Sequence, residues 1–517
     1  MPAAGSRSVA VAVTGAGLLA LYLVSRLLFL DADLPHWLVS YYAPIDEFYY
    51  TLTAFNVVEG VHAPEGGRIL EQFWFFNILQ QLVTILGLLL AGDTYLGLRG
   101  PSVLAGLVVA GCFHWLVLKR FGVAVATAFS LLLIAECSFL LATRTAEPTI
   151  FRLAAASLLL VYCVRKERIG CGDALRIGVF SALAWLLVYP TNAFLGLFGL
   201  LVVGFTPGEP WRRRILYYFI GAALVGIAYL LAFDPIPAYL DVEEALGDRI
   251  AGTSETVSFR VLAWSNIYYV HSANLFKFNP PLLLLAATST VFLLASALLR
   301  MPYLRRSDYL VLAMLLVFAL QTVFVNDYPE RKLVAMVPLV LYAGVLPFAL
   351  MMQWLASGRF ALRPVARYLA GAAVLGVLLA TLARPTYAVV YRAPEYTYRD
   401  AMLSLRELGD ARTVGGWGLA FRLYNDLRPY LNRYRPEFLT DSRHYLAALQ
   451  EAGRRGDAIH IIDYADVNLI YNLATVGFFA ERVILFSRDP VYPDVMLYTY
   501  QPQRVFDTRD HTPTPSR

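Results

Sequence analysis

Residues 214–233 are RILYYFIGAALVGIAYLLAF. After its first residue this stretch contains no charge, and its length matches the roughly 20 apolar residues that a helix needs to cross a bilayer. Arg212 and Arg213 precede the stretch and Asp234 follows it. The stretch therefore predicts a transmembrane helix whose basic end faces the cytoplasm, because positively charged residues accumulate on that side.

Similar apolar segments recur along the 517-residue chain, which is 58% hydrophobic and 16% charged with a mean hydropathy of +0.56. Soluble proteins contain about 25% charged residues. The composition excludes a secreted disulfide scaffold, a disordered chain and a nucleic-acid-binding protein. It predicts an all-α polytopic membrane protein with eleven spans, the stretch 177–206 forming two short ones around Tyr189-Pro190. The other predicted spans are 9–30, 100–118, 122–142, 149–164, 214–233, 281–299, 309–325, 333–352 and 366–384.

The orientation depends on residues 73–91, an apolar block that Asn77, Gln80 and Gln81 interrupt. If this block lies along the outer surface as a juxtamembrane helix, the five basic clusters named below fall on one side, as the positive-inside rule requires. We therefore predict an integral cell membrane protein with a cytoplasmic N-terminus. The clusters are Lys119-Arg120, Arg165-Lys166-Arg168, Arg212 to Arg214, Arg305-Arg306, and Arg359, Arg363 and Arg367.

This topology divides the chain into a transmembrane domain, 1–390, and an extracytoplasmic domain, 391–508, followed by a disordered tail, 509–517. The transmembrane domain includes a first outer loop with juxtamembrane helices, 31–99, and a second large outer loop, 234–280. Short apolar runs near Val414, at 458–463 and at 482–486 alternate with helical patterns at 398–408 and 442–454. This alternation predicts a small α/β domain.

The first outer loop contains an amphipathic segment, 44–59, that begins at Pro44 and places Asp46 and Glu47 in its first turn. The simpler interpretation is that both carboxylates stabilise the positive end of the helix dipole. The alternative is that an ionised carboxylate at the bilayer surface acts as a general base toward an acceptor hydroxyl or amine.

Arg144 and Glu147 follow the third predicted span and lie three residues apart, just before Pro148. They form either an interfacial ion pair, which contributes little to stability, or a site in which the glutamate supports the base or binds the acceptor and the arginine contacts an anion. Glu136 and His114 lie deep inside predicted spans. For both we expect a structural, hydrogen-bonded role.

A second charged outer segment, 326–332, ends in Glu330-Arg331-Lys332 and leads directly into an apolar helix. The two cations are either anchors that extend to the interface or ligands of a phosphate, since arginine offers a fork of donors that matches phosphate oxygens. Further candidates for a departing phosphate are His271, Lys277 and Arg68.

No P-loop, H-E-x-x-H or G-x-S-x-G motif is present, and the seven histidines show no ligand spacing. Asp31-Ala32-Asp33 has the D-x-D form that binds metal-coordinated sugar phosphates, but two acids at a helix end are common by chance. The sequence therefore predicts no metal site and no definite cofactor, and it leaves a requirement for a divalent metal open.

These features together resemble the GT-C superfamily of integral-membrane glycosyltransferases, within it the branch of protein O-mannosyltransferases and lipid A aminoarabinose transferases. Asp46, Glu47 and Tyr50 match the Asp-Glu motif of the first outer loop in that branch, and Glu147 matches a second acid. Glu330, Arg331 and Pro338 match a late helix start, although Lys332 replaces the usual aromatic. The break at Tyr189-Pro190 lacks the preceding lysine that the family often has.

The resemblance implies an inverting glycosyltransferase, hexosyl or pentosyl, that moves a sugar from a polyprenyl phosphate to a lipid, glycan or protein acceptor outside the cytoplasm. Asp46 would act as the base, and Arg331 with Lys332 or Arg68 would offset the charge on the departing phosphate. Tyr50, Glu330 and Tyr189 are further site candidates. A membrane transporter or lipid flippase is the alternative from another class of protein, and a scaffold subunit of an envelope assembly is a third. Neither alternative explains why the charged candidate residues are predicted at the outer surface of the membrane.

Overall fold

The computed structural model divides into two compact units, which we describe separately. One comprises Met1–Leu28, Phe75–Leu79 and Ser102–Arg392, and the other comprises Phe29–Trp74, Gln80–Pro101 and Ala393–Arg517. The structure describes residues 4–32, 51, 54, 57–58, 78–92, 94–188, 192–233, 289, 291–292, 295–296, 304–324, 336–356, 364–392, 412–414, 459–464, 482–485 and 495–500.

The described helices follow the predicted spans closely. They are α1 (Ala4–Leu27), α2 (Ile78–Ala91), α3 (Tyr95–Phe121), α4 (Val123–Ala135), α5 (Cys137–Ala142), α6 (Pro148–Arg165), α7 (Cys171–Leu183), α8 (Ala193–Phe205), α9 (Trp211–Phe233), α10 (Arg306–Phe324), α11 (Val337–Ala356) and α12 (Pro364–Thr386). Single π-helical turns, Ala184–Val188 and Tyr387–Tyr391, extend α7 and α12.

Among the described residues, four helical segments are long and apolar enough to cross a membrane: α3, α6, α9 and α7 with its π-helical turn. Six further apolar helices are shorter. The predicted pair within 177–206 is present as α7 and α8, and the predicted span 281–299 lies largely outside the described residues. The chain is an integral membrane protein.

The first unit packs around α4, which contacts α1, α11 and α12, while α6 and α8 both pack on α10. The helices α7 and α9 approach each other so closely that glycine is required at two contact points. A methyl group at Gly178 would overlap the carbonyl oxygen of Tyr218, and one at Gly221 would overlap that of Leu175. Small residues at such contacts allow helices to associate inside a membrane, where burial of apolar surface contributes little.

In the second unit, α2 and the first turns of α3 form a close hairpin around Gly92, whose φ of 71° favours glycine. Arg99 is buried and donates to the carbonyl oxygens of Leu30 (2.6 Å) and Ala32 (3.0 Å), which holds the chain after α1 in place. With 14 residues, α2 is about 21 Å long at 1.5 Å per residue, less than the roughly 30 Å of the hydrocarbon core. The juxtamembrane placement of 73–91 stays a prediction, since residues 73–77 lie outside the described residues.

The second unit also contains a four-stranded sheet with the order β1-β2-β4-β3, formed by Arg412–Val414 (β1), Ile459–Tyr464 (β2), Arg482–Leu485 (β3) and Val495–Tyr500 (β4). The pair β1 and β2 is parallel, and β4 is antiparallel to both of its neighbours. The first three strands coincide with the apolar runs in the sequence. The helices predicted at 398–408 and 442–454 and the tail 509–517 lie outside the described residues.

Candidate functional site

One end of the helical unit is defined by a buried ion pair between α3 and α10. Arg120 donates through Nε to both oxygens of Asp308 (3.2 and 3.1 Å), and its Nη2 lies 3.0 Å from Oδ2. The same carboxylate accepts from the Tyr342 hydroxyl (2.7 Å) and from the backbone N–H of Arg305 (2.7 Å). Because Asp308 is fully buried, these donors compensate for the loss of its hydration.

The neighbouring basic clusters lie at this same end. Arg306 donates to the carbonyl oxygen of Lys166 and, through Nη2, to the Thr206 hydroxyl (3.2 Å), while Arg214 donates to the carbonyl oxygen of Thr206. Lys166 Nζ lies 2.8 Å from Asp173, and this hydrogen bond raises the pKa of the lysine. The structure thus brings together members of four of the five basic clusters. For the fifth cluster, the structure gives no side-chain detail.

The turn between α5 and α6, residues 143–147, lies at the other end of the unit. α6 has 18 residues and is therefore about 27 Å long; it begins next to Glu147 and ends at Arg165, in a basic cluster. Both candidate residues of this turn are buried: the relative exposure is 2% for Arg144 and 4% for Glu147. The acid and the arginine are therefore held inside the protein at the end opposite the basic clusters.

Backbone hydrogen bonds fix the shape of this turn. The N–H of Arg144 donates to the carbonyl oxygen of Leu141 (2.9 Å), and the N–H of Glu147 donates to that of Thr145 (2.8 Å). Glu147 has extended backbone angles and occupies the N-cap position of α6, with Pro148 as the first helical residue. Its carboxylate does not cap α6, but it lies where the helix dipole favours a negative charge.

Glu136 has the structural role expected from the sequence. The predicted span 122–142 is interrupted there, so that α4 ends before Glu136 and α5 begins after it. Glu136 Oε2 accepts the N–H of Phe139 at 2.6 Å and caps α5. His114 Nδ1 likewise lies 2.8 Å from the Ser130 hydroxyl, as expected of a packed, hydrogen-bonded histidine.

Two buried arginines near the Glu147 end escaped the sequence analysis. Arg26 lies in the last turn of α1, and Arg152 lies in the second turn of α6, where its Nη2 donates to Gln321 Oε1 (2.8 Å) and its guanidinium lies 5.2 Å from the Phe318 ring. The available signal was a charged residue inside an apolar segment, which often indicates function in membrane proteins.

The remaining predicted site residues lie outside the described residues, and their roles stay predictions. They are Asp46, Glu47, Tyr50, Arg68, Tyr189, His271, Lys277, Glu330, Arg331 and Lys332. Within the part of the chain that the structure describes, no group of three or more histidine, cysteine, aspartate or glutamate side chains is arranged to hold a metal ion.

Similarity to known proteins is detectable through structure. No family model matches the chain, and no curated protein matches its sequence. The structure of ArnT, a lipid A aminoarabinose transferase, from Cupriavidus metallidurans bound to undecaprenyl phosphate matches with a TM-score of 0.56 and 15% identity, over 94% of this chain and 97% of that chain. The apo structure of the same protein matches with a TM-score of 0.55 and 14% identity, over 95% and 98%.

The Archaeoglobus fulgidus oligosaccharyltransferase tethered to an acceptor peptide is more distant, at 11% identity over 86% of this chain and 69% of that chain. Its TM-score is 0.46. The ArnT similarity extends over nearly the whole of both chains. The chain therefore shares the fold of this ArnT, and the resemblance drawn from the motifs is confirmed at the level of fold.

Proposed function

We propose that this protein is a glycosyltransferase that moves a sugar from a polyprenyl phosphate to an acceptor at the extracytoplasmic face of the membrane. The observation that supports the proposal most directly is the buried Arg144–Glu147 turn at the end of the bundle opposite the basic clusters. The fold is shared with a protein whose structure contains undecaprenyl phosphate, a polyprenyl phosphate.

In the proposed reaction, Asp46 takes the proton of the acceptor, and the acceptor attacks the anomeric carbon. The bond between that carbon and the phosphate oxygen breaks from the opposite face, so that the configuration inverts and polyprenyl phosphate leaves. Glu47 and Glu147 support the base or bind the acceptor. Tyr50, Glu330 and Tyr189 complete the candidate site.

The negative charge that develops on the departing phosphate requires cations that are already in place. Arg331 with Lys332 or Arg68 serves this role, because donors that are oriented before the reaction stabilise a developing charge most effectively. Arg144 contacts the same anion. His271 and Lys277, in the second outer loop, are additional candidates.

The test uses purified protein in liposomes that contain a radiolabelled undecaprenyl-phosphate sugar together with a cell-envelope extract as acceptor. Label should move from the lipid to the acceptor with time. Asp46→Asn should abolish transfer, and Glu147→Gln should lower it by about 10²-fold, a typical contribution of a group that assists proton transfer.

Asp173→Asn is the matched control, since it removes a carboxylate at the basic end of the same helical unit. It should leave transfer within about twofold of the wild type, because this half-buried ion pair lies at the end opposite the Arg144–Glu147 turn. Full activity of Asp46→Asn would overturn its assignment as the base. Movement of labelled lipid between leaflets without any transfer would instead identify a flippase.

A further inference from the structure

The break between α4 and α5 is not encoded by its local sequence. Sharp interruptions in helices usually occur at proline or glycine, or where a side chain inserts into the hydrogen-bond ladder. Here the sequence is Ala135-Glu136-Cys137, and alanine and glutamate are among the best helix formers. The Glu136 carboxylate caps α5 locally, and contacts from elsewhere in the protein add to the stabilisation of its extended backbone (φ −71°, ψ 125°).

Two other helices supply these contacts by capping the carbonyl oxygens that the break releases. In a continuous helix, the carbonyl oxygens of Ile134 and Ala135 would accept from residues four positions later. Instead, Ile134 accepts from Arg26 Nη1 of α1 (2.8 Å) and Ala135 accepts from the Thr386 hydroxyl of α12 (2.8 Å). The N–H of Phe139, which would have bonded Ala135, donates to Glu136.

Arg26 joins both sides of the interruption. While Nη1 donates to the last turn of α4, Nε donates to the hydroxyl of Thr143 (3.2 Å), the C-cap residue of α5, which directly precedes Arg144. The guanidinium is fully buried and lies over the rings of Tyr22 (4.6 Å) and Phe139 (5.5 Å). The planar guanidinium presents its donors in a rigid fork, which suits it to holding two acceptors at fixed positions.

We propose that Arg26 is a positioning residue that keeps the α4–α5 break open and thereby places the Arg144–Glu147 turn. This inference deepens the proposed function, because it concerns the same turn. Arg26 need not touch a substrate; it acts through Ile134 and Thr143.

The expected displacement follows from helix geometry. An extended residue advances about 3.3 Å and rotates the chain by about 180°, whereas a helical residue advances about 1.5 Å and rotates it by about 100°. If Glu136 became helical, its ψ would change from 125° to about −42°, which would reorient α5 and displace the turn that follows it. A misplacement of about 1 Å can cost about 10² in rate.

The first variant is Arg26→Met, which keeps the apolar stem and removes the donors. We expect sugar transfer to fall at least about tenfold, because a turn displaced by more than about 1 Å no longer places the acid. Arg214→Met is the matched control: Arg214 also donates to carbonyl oxygens at a helix end, those of Gly204 and Thr206, but at the basic end. The control should transfer sugar as the wild type does.

Rescue distinguishes positioning from general destabilisation. Cys137 is the first residue of α5, where proline is well tolerated, and proline there disfavours a helical Glu136. Cys137→Pro added to Arg26→Met should therefore restore transfer to within about threefold of the wild type, since it imposes the break without the arginine. If Glu136→Gln rescued and Cys137→Pro did not, Arg26 would act by balancing the charge of Glu136, and the proposal would be wrong.

A second variant covers the case in which Arg26→Met does not fold. Thr386→Val removes the hydroxyl that caps the carbonyl oxygen of Ala135, so it should also lower sugar transfer. Adding Cys137→Pro should again restore transfer. An electron cryomicroscopy map of Arg26→Met, or of Thr386→Val in that case, provides a test that does not depend on sugar transfer. A continuous helix through residue 136 supports the inference even if no glycosyl transfer is found. An unchanged break and turn would overturn it.

Discussion

The ion pair between Arg120 and Asp308 predicts a large and specific loss of stability when only one partner is removed. In Asp308→Leu, the buried guanidinium loses its carboxylate, and the Tyr342 hydroxyl and the Arg305 N–H lose their acceptor. Removing one partner of a buried pair costs about 3–5 kcal/mol. The free energy of unfolding should fall by about that amount.

Removing both partners should cost much less. In Arg120→Met/Asp308→Leu no charge is left buried, and apolar replacement of a buried pair is often neutral or stabilising by about 1–4 kcal/mol. The two substitutions should therefore be strongly non-additive, as expected for residues in direct contact.

The assay is unfolding in mixed micelles by increasing amounts of sodium dodecyl sulfate, followed by tryptophan fluorescence. Asp173→Asn, whose partner Lys166 is 35% exposed, is the control and should cost about 1 kcal/mol or less. A double variant that loses as much stability as the two single variants combined would refute the reasoning.

Three further predictions concern packing, topology and the donor. Gly178→Ala should lower the midpoint of unfolding, because the added methyl would overlap the Tyr218 carbonyl oxygen, whereas Gly111→Ala, where nothing lies within 4 Å of the added carbon, should not. In a variant whose native cysteines are replaced, Asp93→Cys should react with a membrane-impermeant maleimide added outside the cell. The control Arg168→Cys should react only when the reagent reaches the cytoplasmic side. The reverse pattern would overturn the predicted orientation. Arg331→Met should raise the KM for the polyprenyl-phosphate sugar more than it lowers kcat, and unchanged kinetics at limiting donor would remove Arg331 from the phosphate site.

The helices at 149–164 and 214–233 were predictable, because a long apolar run with an arginine at one end favours a helix without any detail of packing. The segment 149–164 became α6 and the segment 214–233 became most of α9. The basic clusters were predicted to fall on one side of the membrane, and members of four of them lie together at one end of the helical unit. The charge and the length of a segment do not depend on the rest of the fold, so both can be determined from the sequence.

The break at Glu136 could not be predicted, because the groups that hold it come from residues more than a hundred positions away. Arg26 and Thr386 are separated from Ile134 and Ala135 by 108 and 251 positions, and the local sequence favours an uninterrupted helix. The fourth strand, β4, also escaped the sequence analysis.

Of the candidate site, the turn that contains Arg144 and Glu147 was predicted by proximity in sequence, and the structure shows that both residues are buried. Their chemistry is set by neighbours that sequence spacing does not identify. Arg26 and Arg152 illustrate the same limit. The sequence shows a charge inside an apolar segment, but it does not identify the residue that the charge contacts.

The central claim is that the polyprenyl phosphate binds at the end of the helical unit that contains Glu147. A photoreactive undecaprenyl phosphate, cross-linked to the protein in liposomes and mapped by mass spectrometry, tests this claim directly. The account predicts adducts on peptides that contain Arg144 to Pro148 or residues 326–332, with competition by unlabelled undecaprenyl phosphate. Specific adducts confined to the basic end, at 165–173, 206–214 or 305–308, would contradict it.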